Sequence, residues 1–355
     1  MKCSANKLVS GIFFLVVFLS CNTINEEKTP ASVASIDAVE NPNYAKFGYT
    51  KLSDYGFFIG DLKDLNPALR VLPYTLNAPL FTDYAEKARF IFLPEGETMT
   101  YHPTEVLNLP NGSAIIKNFY YTAAQLGGNQ QRIIETRILL NKDGEWTALP
   151  YIWNNEQTEA YLDIMGGNRD ITLANRGAFD YNIPNMKQCK TCHDYNGKLT
   201  PIGPSARQLA SINSENDFLK QWNELKHLNG YTGHNDILAQ PDAATATLND
   251  RARAYLDGNC SYCHRPEGSA KNSGLDLTMY APNAFALGIN KAPVAAGKGS
   301  GGLAYDVVPG HPNKSILYYR MNSTDPAVMM PELGRSLVHT EGLALIGKWI
   351  EQMKQ

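Results

Sequence analysis

Residues 189–195 read CKTCHDY, and 71 positions further on residues 260–266 read CSYCHRP. Two thiols spaced by two residues and followed at once by an imidazole allow three chemistries. They can act as a redox dithiol, contribute to a four-cysteine zinc site, or bind a c-type haem, whose two vinyl groups take the thiols and whose iron takes the histidine.

The remaining cysteines bear on the choice. The chain has six, and the two outside the motifs are Cys3 and Cys21. Lys2 and Lys7 precede an apolar run, Leu8 to Ser20, which is too short to span a bilayer comfortably and reads as an export signal. The run ends at Leu19-Ser20-Cys21, a lipobox-like stretch in which Cys21 would become the lipid-bearing N-terminus. An exported protein with a spare cysteine pair would normally form a disulfide, and here no pair is spare. A zinc site would not need a histidine after each cysteine pair, and a thioredoxin-like dithiol needs a βαβ frame that neither motif has. The expectation is therefore two covalently bound haems. Cys189 and Cys192 hold the first with His193 on its iron, and Cys260 and Cys263 hold the second with His264.

The sixth iron ligand separates electron carriers from ligand-binding haems. For the second site Met330 is the candidate, in MMPELG ahead of a terminal amphipathic segment, with Met329 and Met321 as plainer core alternatives. For the first site His227, His234, Met165 and Met186 are the available residues, and none can be assigned. Carbonyls in PIGP (201–204) and VVPG (307–310) are candidates to hold the second ring nitrogen of each histidine. AAGKGSGG (295–302) lacks the order of a phosphate loop and reads as a flexible loop near the haem.

The scaffold around these groups can be read from composition and pattern. Hydrophobic residues at 43% and charged residues at 19% describe an ordinary globular chain. The net charge of −3, or −5 once residues 1–20 are removed, offers no basic surface for nucleic acid. Five segments are expected: a lipoprotein signal peptide (1–20), a flexible polar tether (21–43), a β-rich domain (44–167), a first haem-binding region (168–245) and a class I cytochrome c-like domain (246–355). KARFIFL, SAIIKNFYY, QRIIETRILLN and EWTALPYIWN predict antiparallel strands, with a hairpin at Asp143-Gly144, and the domain is expected to be sandwich-like. Residues 168–184 read as a connection. Helices are predicted over 214–228, capped by Ser214 or Asn216, over LNDRARAYLDGNC, and over EGLALIGKWIEQM, where Gly347 lowers helix propensity unless it lets another helix pass close. The fold class is thus α+β multidomain, an antiparallel β domain followed by a mainly α haem-binding region.

YGFF, LNAPLFTDYA, ALPYIWNNEQTEA, QCKTCH, PIGPSARQL, RARAYLDGNCSYCH, PVAAGKGSGG and MMPELGR together resemble a family of exported di-haem c-type cytochromes of Gram-negative bacteria known mainly as uncharacterised proteins. The last hundred residues, with SGLDL, VVPGHPNKSILYYRM and EGLALIGKWI, also resemble planctomycete-type cytochrome c modules. The resemblance covers residues 51–350. It implies two haems, Met330 as a ligand and an envelope location, but no reaction. The expected protein is a lipid-anchored electron carrier working with redox protein partners, facing the periplasm or the cell surface. The alternatives are a di-haem peroxidase or oxidase with an open first haem, and a redox-sensing binding module.

Overall fold

A computed structural model describes residues 48–213, 216–294 and 296–354. The expected signal peptide, the tether and the lipid-anchor residue Cys21 lie outside the described residues. Among those described, no helix is long and apolar enough to cross a membrane.

The chain forms β1 (Val71–Tyr74), β2 (Glu86–Phe92), the short β3 (Met99–Thr100), β4 (Ala114–Tyr121), a single helical turn α1 (Ala123–Leu126), β5 (Arg132–Lys142), β6 (Glu145–Trp153) and β7 (Ala160–Leu162). All but β3 pair antiparallel in the order β1-β2-β4-β5-β6-β7. The β5–β6 hairpin closes with Lys142 opposite Glu145. Asp143 and Gly144 between them both adopt positive φ (54° and 78°), the twist that a two-residue hairpin turn requires.

The strands expected from the sequence all form, but the domain is one dominant sheet rather than a sandwich. Its strands are buried on both faces, so they read as near-continuous apolar runs. One face packs Phe90, Phe92, Ile116, Ile138, Leu140 and Tyr151 beneath Tyr49, Leu52, Tyr55 and Phe57 of the preceding segment. The other face carries the row Ile91–Ile115–Leu139–Ala148, in register across four strands, beneath Leu209, Leu219 and Trp222. Loops and short helices thus take the place of a second sheet.

Residues 168–184, expected as a connection, are mostly a hairpin: β8 (Gly167–Leu173) and β9 (Gly177–Ile183). Alternate residues Ile171, Leu173, Tyr181 and Ile183 are buried against Phe119, Tyr121 and Ile152 of the sheet. That period-2 alternation was the available signal, diluted by the Asn, Asp and Arg on the outer face.

Next come α2 (Met186–Cys192), β10 (Asp194–Tyr195), β11 (Lys198–Leu199), α3 (Ala206–Leu209), α4 (Phe218–Glu224) and β12 (Leu228–Asn229), which pairs parallel with β3. The helix predicted over 214–228 is therefore shorter at both ends. Asp217, not Asn216, accepts from the Lys220 N–H as its cap, and the other candidate, Ser214, lies outside the described residues. Lys226 at φ 61° ends the helical path, leaving Leu225 64% exposed and Leu228 in a strand.

The last third holds α5 (Leu248–Asn259), α6 (Ile316–Met321) and α7 (Thr340–Glu351). Ala252, Tyr255, Leu256, Ile346, Trp349 and Ile350 share a core with Leu277, Leu287 and Val307. Gly347 lets Tyr318 of α6 approach: a Cβ there would lie 2.9 Å from its ring. Gly342 does the same for α5, since a Cβ would lie 2.4 Å from the Tyr255 ring.

Candidate functional site: two adjoining cysteine–histidine cavities

The first motif occupies the last turn of α2, which opens with a capping box between Asn185 and Gln188. The second motif lies at the end of α5, whose Thr247 side chain caps Asp250 N. In each motif the histidine N–H returns to the carbonyl of the first cysteine, His193 to Cys189 and His264 to Cys260, both at 3.0 Å. The two segments thus share one local turn despite unlike flanks.

The segment C-terminal to each motif orients its imidazole. Asn196 and Gly197 turn at φ 51° and 82°, folding β11 back on β10. This brings the Thr200 carbonyl to 2.8 Å from His193 Nδ1. A carbonyl only accepts, so Nδ1 carries the proton and Nε2 keeps its lone pair. His264 Nδ1 lies 3.0 Å from Ser273 Oγ. Neither PIGP nor VVPG supplies these partners: the first falls one residue short of Thr200, and the Val307 carbonyl accepts from Asn290 N–H instead. The Asn-Gly turn was the sequence signal for the Thr200 contact. Burial pushes both imidazoles down to about 4, which keeps them in the neutral, ligating form.

Each motif opens on its own cavity. The His264 cavity, about 530 Å³, is lined by Cys260, Cys263, His264 and Met330. The His193 cavity, about 410 Å³, is lined by Cys189, Cys192 and His193. Both volumes lie within the ~300–1,000 Å³ of ordinary cofactor pockets. Phe81, Cys192 and Tyr262 line both, so the cavities adjoin.

The cysteines do not form one sulfur cage. Cys192 and Cys263 are close neighbours, whereas Cys189 packs into the core beneath the sheet and Cys260 against the α5–α7 core. The Cys263 thiol is lowered by its contact with Cys192, but the first thiol of each motif is not activated: burial raises that of Cys189 and pushes that of Cys260 up to about 12. A redox dithiol needs the opposite shift. Each cavity does hold what a c-type haem uses: two thiols, an imidazole oriented through its Nδ1 and an apolar lining, the tautomer being fixed by a carbonyl at His193.

Met330 is held through its backbone, its N–H donating to Arg320 O (3.1 Å) and its carbonyl accepting from Arg335 Nη2 (2.9 Å). Met321 lines the same cavity, and Met329 is buried outside its lining. None of the four residues considered for the first site lines the His193 cavity. Met165 is 76% exposed, Met186 packs on the far face of the sheet, His234 bonds Tyr101, and His227 lies beside β12. The histidine that does line it, besides His193, is His102. Its Nδ1 accepts from the N–H groups of Thr104 (3.3 Å) and Glu105 (2.9 Å), so its proton sits on Nε2, which then donates rather than ligates. AAGKGSGG forms a 3-10 turn, Gly297–Ser300, against Arg320 and Tyr319, and Ala296 reaches the His264 cavity.

One extended strap, residues 76–85, ties the two regions together. Asn77 Nδ2 donates to the Ala210 carbonyl (2.8 Å), and Gln208 brackets Ala78 through both its N–H (2.9 Å) and carbonyl (3.0 Å). The Phe81 N–H donates to Asn259 Oδ1 at 2.8 Å. Asp83, 1% exposed, accepts from the N–H groups of Ser336 (2.8 Å) and Leu337 (2.7 Å). Beside the strap, Arg207 of α3 pairs with Asp257 of α5 at 3.0 Å. Replacing Asp83 with alanine leaves two N–H groups without their acceptor. The expected cost is about 2–4 kcal/mol of stability, with a smaller cost for Asp83→Asn, as urea unfolding would show.

His339 stacks on Phe81 (4.2 Å between centroids), and its Nδ1 lies 3.1 Å from Tyr255 Oη. Burial pushes its pKa down to about 4. The unfolded chain takes this proton first, near 6.5, so the stabilisation is complete above that pH and is lost as pH falls toward 4. After allowing for partial exposure, wild type should lose about 1–2 kcal/mol more than His339→Gln between pH 7 and pH 4.5. Equal losses in parallel denaturant titrations would contradict this.

Comparison of the chain with family models, with curated proteins and with solved structures gave no match. The α+β class, with its six-stranded antiparallel sheet, is what the fold itself defines.

Proposed function

We propose that this chain is a di-haem c-type cytochrome that passes single electrons between redox partner proteins at the cell envelope, held to a membrane through Cys21. One observation carries the reading. Two Cys-x-x-Cys-His motifs, 71 residues apart in the chain, open on adjoining cavities that share Phe81, Cys192 and Tyr262. Bound haem would supply the one-electron chemistry. His193 and His264 would each offer Nε2 to an iron, and the four cysteines would fix the rings. Met330 is the candidate opposite His264, in a class I cytochrome c-like order of motif, loop, methionine and terminal helix. Tyr262 and Phe81 would exclude water between the two sites.

A second reading has its own support. Among the described residues, no methionine and no second histidine free to ligate lines the His193 cavity, which favours an open iron there and chemistry on a small molecule. Purified full-length protein tests both. Its pyridine haemochromogen spectrum and intact mass should give two covalent haems per chain, and a haem-free chain would overturn the proposal. Carbon monoxide that leaves both reduced haems unchanged supports the carrier, whereas binding at one haem favours the small-molecule reading.

A further inference from the structure

The sheet face that packs on α2 changes character in one row. Next to Ile91–Ile115–Leu139–Ala148, the register sets Arg89 opposite Lys117 and Lys117 opposite Arg137, followed by Pro150. Like charges directly opposite on adjacent strands are destabilising. Here three stand side by side, and Lys87 lies two residues before Arg89 on the same strand face.

Counter-charge within the protein is short. Glu135, fully buried, pairs with Arg137 and also accepts from Tyr181 Oη at 2.7 Å. Of the acids that line the cavity, Glu105 is engaged with Arg265 and Asp257 with Arg207. Asp194 is bonded to none of the three cations. Lys117 and Arg137 rest on the Phe119 ring, at 4.7 and 4.3 Å, which offers only weak compensation. Arg89 is 7% exposed, and its Nε and Nη2 atoms are buried without a hydrogen-bond partner. A buried guanidinium left in that state costs several kcal/mol unless something else accepts from it.

All three cations line the His193 cavity. The His264 cavity differs. Its Arg335 donates to the carbonyls of Leu337, Ser323 and Met330, and its Arg320 to the Val328 carbonyl, so those cations serve the loop that carries Met330. The two cavities are therefore not equivalent in charge.

We propose that Arg89, Lys117 and Arg137 form an anion-receiving wall in the His193 cavity, holding a carboxylate or a small oxyanion. The anion has two possible sources, the propionate carboxylates of a haem bound at His193 or a free ion such as nitrite. Only the first source rests on the haem reading.

The test uses the full-length protein as purified, titrated with nitrite by calorimetry and followed by potentiometry of each haem. Arg89→Gln and Lys117→Met lie on different strands, and either one that folds suffices. A free-ion site gives saturable nitrite binding that either substitution weakens by at least about 10-fold, the loss of one charge-assisted hydrogen bond, and that Arg89→Lys retains in part. A site filled by the haem's own carboxylates gives no nitrite binding, and either substitution lowers the potential of the His193 haem while leaving the other unchanged. Absence of nitrite binding together with unaltered potentials overturns the proposal. Should the protein carry no haem, which fails the functional reading alone, the nitrite titration decides by itself: binding weakened by the substitutions upholds the wall, and no binding overturns it.

Discussion

On the di-haem reading proposed above, replacing Cys260 and Cys263 with serine is expected to remove one haem per chain and leave the other. The two motifs stand at the ends of different helices, and each cavity contains both thiols of its own motif. Serine keeps the size and polarity of the side chain but cannot form the thioether. The loss at one site should therefore be complete, while His193, Cys189 and Cys192 keep theirs. The reciprocal Cys189→Ser/Cys192→Ser variant should lose the other haem. The remaining spectrum then reports one iron at a time: the Cys260/Cys263 variant shows the His193 site alone, where no sixth ligand is assigned. Intact mass and haemochromogen absorbance check both variants. A wild-type chain in which the neighbouring Cys192 and Cys263 are joined as a disulfide would sink the reading outright.

Gly258→Ala is expected to be strongly destabilising for the addition of a single methyl group. Gly258 lies inside α5, two residues before Cys260, and a Cβ there would sit 2.2 Å from the Ala78 carbonyl oxygen and 3.1 Å from its carbon. The strap cannot simply retreat, because Gln208 holds Ala78 by both backbone groups. Alanine would gain about 1 kcal/mol of helix propensity. Against that stand an overpacking strain of about 1–3 kcal/mol and the weakening of two buried hydrogen bonds at about 0.5–1.5 kcal/mol each. A net loss of about 1–5 kcal/mol is expected on that balance. Gly128→Ala is the control, since nothing lies within 4 Å of its Cβ position. Urea unfolding of the three proteins is the measurement, and a Gly258→Ala protein as stable as the control would contradict the close approach. The substitution should also disturb the wall between the cavities, because Phe81 lies three residues beyond Ala78 on the strap.

Much of the fold was legible from local pattern. The four long strands, the Asp-Gly turn and the α5 and α7 helices come from apolar periodicity and turn chemistry, which act over a few residues. The single sheet in place of a sandwich, and the β8–β9 hairpin in place of a connection, were not legible. Both depend on what covers each sheet face, and the covering residues come from distant parts of the chain. The helix predicted over 214–228 failed for a related reason. Its apolar spacing continues past Glu224, but Lys226 turns the backbone so that Leu228 can pair beside β3.

The chemistry on offer was readable before any fold: two cysteine pairs, each with an adjacent imidazole, in a chain whose N-terminal apolar run reads as an export signal, with Met330 ahead of a terminal helix. Covalent order alone sets those spacings. Tertiary packing was needed to give the two motifs a common wall, to bring Thr200 and Ser273 to their imidazoles, and to turn Arg89, Lys117 and Arg137 toward the His193 cavity. Those cations are 28 and 20 residues apart in the chain and become neighbours only through antiparallel register. Strand pairing is a long-range choice set by burial of both sheet faces, and no local spacing encodes it.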